Sequence, residues 1–93
     1  MILEKSDRFK EELEQVVDFI ALDSISQALN FYDELIAKIN NISQNPYIYR
    51  KRLVLNDDNV RELIYKGYVI PFEIDKRHNK IIILGIFNHN LWH

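Results

Sequence analysis

The stretch from residue 60 to residue 87, VRELIYKGYVIPFEIDKRHNKIIILGIF, constrains this chain's fold more than any other part. It holds three strand-like runs separated by turn signals. Val60 to Tyr65 alternates in side-chain direction, and Lys66-Gly67 supplies a tight reversal, because glycine takes a positive φ without a Cβ clash. From Tyr68 to Asp75 the alternation puts Ile70, Phe72 and Ile74 on one face and Val69, Pro71, Glu73 and Asp75 on the other. Pro71 lacks a ladder donor, so its missing N–H belongs at a sheet edge or beside an irregularity. The run from Ile81 to Phe87 has no polar face and is expected as a strand covered on both sides.

The first half follows helical periods. Ser6 or Asp7 can cap a helix whose stripe is Phe9, Leu13, Val16, Val17 and Ile20. Ser24 with Gln27 forms a capping-box pattern for a second helix. Its stripe reads Ile25, Ala28, Leu29, Tyr32, Leu35, Ile36, Ile39 and Ile42, and Asn45-Pro46 ends it. The short link around Asp23-Ser24 allows only neighbouring antiparallel helices. Short strands are expected at Ile2-Leu3 and Leu53-Val54-Leu55, with a polar turn over residues 56–59. The expected class is α+β: an N-terminal antiparallel helical hairpin on a twisted, mainly antiparallel sheet of about four strands, residues 1–93 forming a single domain.

Composition narrows the function classes. At 93 residues, with 47% hydrophobic and 28% charged residues, the chain supports one core and is not a disordered polymer. It has no cysteine, so disulfides and thiolate zinc sites are excluded, and His78, His89 and His93 lack ligand spacing; neither metal nor cofactor is expected. No apolar run nears a membrane span and no signal peptide is visible, which makes the cytoplasm the expected location. The net charge of −2 conceals an asymmetry: before Pro46 acids outnumber bases nine to four, and from Pro46 onward bases outnumber acids eight to five. The strand half can therefore face an anionic partner, although two solvated faces would read the same way.

The order of elements, with residues 39–46 ending in Asn-Pro, Arg61-Glu62-Leu63, residues 67–74, the run 81–87 and His89 beyond it, resembles the RelE/ParE superfamily of toxins from type II toxin–antitoxin systems. The resemblance spans essentially the whole chain and implies a growth-inhibiting, plasmid-stabilising toxin silenced by a cognate antitoxin strand and helix. ParE-like members are thought to bind DNA gyrase without chemistry of their own, whereas RelE-like members cleave mRNA on the ribosome without a metal. In the cleaving members an arginine follows the residue that opens the fourth strand. Here Tyr68 opens it and Val69 follows, and valine cannot neutralise a phosphorane. His89 matches a histidine of the cleaving members, but Asn90 stands where their tyrosine would be. The resemblance is therefore closer to ParE, with a metal-independent endoribonuclease as the alternative; a homodimer and a toxin–antitoxin hetero-oligomer are both open.

Lys51, Arg52, Arg61, Tyr68 and Trp92 are expected to bind the target, and Arg61 and His89 would be catalytic only in a ribonuclease. Arg61 could instead pair with Glu62, Glu73 or Asp75 across the sheet. Tyr47 and Tyr49 with Arg50-Lys51-Arg52 interleave rings and cations, a pattern that suits nucleic acid, yet tyrosines after a helix end also pack beneath it. Of Tyr65 and Tyr68, one is expected to close the core and one to face out. Trp92 reads equally as a core plug or a partner anchor.

Overall fold

The computed structural model describes residues 1–52 and 57–88. The strand expected at Leu53-Val54-Leu55, and His89 and Trp92 among the candidate site residues, lie outside the described residues. The elements run β1 (Ile2–Lys5), α1 (Asp7–Ala21), α2 (Ile25–Ile42), a 3₁₀ turn (Pro46–Ile48), β2 (Arg50–Lys51), β3 (Val60–Tyr65), β4 (Tyr68–Asp75), β5 (Lys80–Ile83) and β6 (Phe87–Asn88). The sheet order is β1-β5-β4-β3-β2, and β6 also pairs with β4. All pairings are antiparallel except β1 with β5. Among the described residues the sheet thus has six strands rather than about four, β2 and β6 being two-residue ribbons too short to leave an alternation in the sequence.

Local chemistry sets the helix starts. Ser6 Oγ accepts from Phe9 N–H at 3.0 Å and Ser24 Oγ from Gln27 N–H at 3.2 Å, each satisfying an amide that the first turn leaves without a partner. In α1 the expected stripe packs inward, Phe9 and Leu13 buried and Val16, Val17 and Ile20 against the core. In α2 the stripe is rotated. Ala28, Phe31, Leu35, Ile39 and Ile42 are buried, while Ile25 and Leu29 stand 70% and 59% exposed. Phe31 takes the inward place because the β3–β4 hairpin brings it two ring partners, Tyr65 and Tyr68, with centroids 5.4 Å away.

That hairpin closes in two residues. Lys66 (φ 48°) and Gly67 (φ 83°) are both left-handed, the geometry that matches the twist of adjoining strands. It sets Tyr65 directly opposite Tyr68, and cross-strand partners share a face. Both rings therefore point to the helices, rather than one inward and one outward. Tyr65 is buried and Tyr68 half-buried.

The long apolar run does not continue as one strand. β5 ends at Ile83, residues 84–86 leave the ladder, and the chain rejoins β4 as β6. The interruption lies beside Pro71. Ile74 N–H bonds to Asn59 on the β3 side, so by alternation Pro71 would have presented its N–H toward β5 and β6. Its carbonyl, on that same side, accepts from Leu84 N–H at 2.9 Å. The missing donor thus falls where the ladder already breaks. Nor is the run covered on both sides: Ile81 and Ile83 are buried under the helices, whereas Ile82 and Leu84 are half-buried.

Candidate functional site

Alternation along β3 and its register with β4 give the sheet two unlike faces. Leu63, Tyr65, Ile70, Phe72, Ile74, Ile81 and Ile83 face the helices and form the core with Phe9, Phe31 and Leu35. Val60, Glu62 and Ile64 on β3, opposite Glu73, Pro71 and Val69 on β4, stand on the other face, with Phe87 of β6 opposite Val69. Val60, Val69 and Pro71 are buried there, and Ile64 is 45% exposed.

The candidate cations divide between these faces. Arg50 lies opposite Glu62, and Arg52 shares its parity, so both turn to the open face. Glu62, only 10% exposed, accepts from Arg50 Nε at 2.6 Å and from Arg52 Nη1 at 2.9 Å. Two guanidinium groups on one carboxylate leave the cluster with a net positive charge. Arg52 also lies over the Phe87 ring, 5.4 Å from its centroid.

Arg61 points the other way. It is opposite Phe72 on the helix-covered side, near the sheet edge. Its Nη1 donates to the carbonyls of Tyr47 (2.9 Å) and Tyr49 (3.0 Å), and its Nε to that of Asp58 (3.3 Å). Its guanidinium is 5.2 Å from the Tyr47 ring centroid, and Lys76 approaches the same ring at 5.5 Å. None of these partners is a carboxylate: Arg61 holds the 3₁₀ turn onto β3. Tyr49 packs edge-on against Phe72, while Tyr47 stays partly exposed. Lys51, opposite Arg61, is exposed and pairs with Asp58 at 3.1 Å.

Tyr68 borders a hollow lined by Ile20, Gln27, Asn30, Phe31, Glu34 and Lys66. There the Tyr65 hydroxyl donates to Glu34, and Lys66 approaches the same carboxylate at 3.6 Å. The Tyr65 hydrogen bond, helped by Lys66, holds the Glu34 carboxyl below its ordinary 4.5, while burial and Glu34 push the Tyr65 phenol up. A second groove, about 450 Å³, runs along the helices with Phe9, Leu13, Val17, Tyr32 and Ile36 as its floor. Lys5 and Lys10 lie toward one end, Glu14 and Asp18 toward the other. The structure therefore brings Arg52 together with Arg50 and Glu62 on the open face, and sets Lys51, Arg61 and Tyr68 on the other parity. Reading Arg50 and Glu62 as one unit required the register of β2 on β3, which a two-residue strand does not announce.

A helical hairpin laid on one face of a mainly antiparallel sheet is an α+β scaffold. The chain matches the family described as "ParE toxin of type II toxin-antitoxin system, parDE" over residues 3–90, and it belongs to that family. A solved structure titled "Chromosomal ParDE TA system from P. aeruginosa" is similar in fold, with a TM-score of 0.76, 20% sequence identity and 95% of each chain covered. Among curated proteins none matches the chain significantly. The family places the chain in a two-component toxin–antitoxin system, so an antitoxin is its partner. Among the described residues no helix is long and apolar enough to cross a membrane.

Proposed function

We propose that this chain inhibits growth in the cytoplasm by binding DNA gyrase through the open sheet face, without cutting a substrate. The observation that carries the reading is Val69. It follows the residue that opens β4, is buried and pairs with Phe87, so this position carries a packed apolar side chain where cleavage would need a cation. The positive cluster beside it, Arg50 and Arg52 on Glu62, suits an acidic protein surface, with complementary charge guiding encounter and orientation. Lys51 adds a cation at the sheet edge, and Arg61 enters through the segment it fastens. His89 and Trp92, outside the described residues, stay in the proposed target-binding set on the family resemblance alone.

The antitoxin would occupy the helical groove. Its apolar floor and oppositely charged ends suit an amphipathic helix with its acidic end near Lys5 and Lys10. Gyrase supercoiling measured against rising protein tests the proposal: turnover should stop at saturation and recover when antitoxin is added. Unchanged supercoiling, or discrete cuts in a translated message, would defeat it.

A further inference from the structure

The interruption between β5 and β6 is held from α1. Glu12 Oε1 accepts from Ile86 N–H at 3.2 Å. Ser6, the cap of the same helix, donates from Oγ to Leu84 carbonyl at 3.2 Å and from its N–H to Ile83 carbonyl at 3.1 Å. Gly85 lies between these contacts, and a Cβ there would run into Glu12 Oε1. A methyl group at this position would meet the Glu12 carboxylate first, so it bears on the contact to Ile86 N–H.

This fastening sits one residue from the open face. Ile86 turns inward and is 2% exposed, so Phe87 turns outward, into register with Val69 and beneath Arg52. A carboxylate on the helical layer is thus joined, through one peptide unit, to a ring on the far side of the sheet. We infer that Glu12 is a positioning residue for the target-facing surface: by holding Ile86 N–H it places Phe87 under the Arg52 guanidinium and sets the pose of the Arg50–Glu62–Arg52 cluster. Its i,i+4 contact with Arg8 at 3.5 Å is an exposed surface pair, and the action is assigned to the hydrogen bond to Ile86. The consequence for gyrase affinity rests on the function proposed above; the geometric claim does not.

The test uses the full chain with Glu12→Ala, Glu12→Gln and Arg8→Ala. Glutamine keeps an acceptor oxygen; alanine does not, and it suits a helix interior. In Glu12→Ala, exchange of the Ile86 amide should quicken about tenfold, and the Arg52 Nε–H resonance should shift as the Phe87 ring moves. Glu12→Gln and Arg8→Ala should leave both signals near wild type. Gyrase affinity should follow the same order, falling about tenfold in the alanine variant alone. Unchanged Ile86 exchange or an unmoved Arg52 resonance in Glu12→Ala overturns the inference, as does a glutamine variant that behaves like alanine. If wild-type protein does not bind gyrase, the proposed function fails, and the two spectroscopic signals still decide the role of Glu12.

Discussion

Arg61 and Glu62 are adjacent on β3 and serve opposite sides of the sheet. Arg61 spends its donors on three backbone carbonyls and a tyrosine ring, binding the 3₁₀ turn to the layer beneath the helices. Glu62 gathers two arginines on the face the helices leave uncovered. The difference teaches that an arginine's presence in a basic sequence says little about its availability. Strand parity decides whether it is consumed by the scaffold or offered to a partner.

The contrast can be broken first at the core. Phe72→Ala, beneath the helices, should cost about 3–5 kcal/mol of unfolding free energy in urea titration. Ile64→Ala, on the open face, should cost under about 1 kcal/mol. Equal losses would mean that the open face is as structural as the covered one. Arg61→Ala comes next: loss of its charged hydrogen bonds should lower stability by about 1.5–3 kcal/mol, and Arg61→Lys should not restore it, because a lysine lacks the planar fork. A stable Arg61→Ala protein that has lost only target binding would instead make Arg61 a contact residue.

Smaller effects sharpen the picture. Gly85→Ala should cost about 1 kcal/mol, since the new methyl group must drive Glu12 from Ile86 N–H; a neutral result would show that the carboxylate has room to move. The smallest concerns acid. The Glu34 carboxyl is held low first by Tyr65, and Asp75 first by its bond to His78. A carboxyl depressed in the folded protein stabilises it above the unfolded value, and that contribution is lost as pH falls through the folded one. Stability should therefore decline as pH drops below about 4.5 for Glu34 and about 3.8 for Asp75, and Glu34→Gln should flatten the upper part of that decline. An unaltered acid profile in Glu34→Gln would remove the Tyr65–Glu34–Lys66 contact from the account.

Most of the fold was legible because periodicity and caps act locally. Ser6, Lys66-Gly67 and Pro71 each state a local backbone requirement and each is met as read; Ser24 caps α2 through its Oγ, but its own N–H goes to the Ile20 carbonyl and not to the Gln27 side chain that a capping box expects. What was not legible depends on distant partners. Phe31 turns inward for rings that arrive thirty-odd residues later, and the apolar run 81–87 breaks because Glu12 and Ser6 capture its middle. The same limit applies to the site. Basic residues 50–52 could be seen as a cluster, but their division between two faces follows from a register of only two residue pairs.

The central claim is that the open face, with Arg52 on it, grips the target while the covered face only supports it. The most direct test is the affinity of Arg52→Gln for gyrase, a change that leaves the Arg50–Glu62 pair in place. Binding should weaken about tenfold or more with the urea midpoint little altered. Wild-type affinity in a folded Arg52→Gln protein would contradict it.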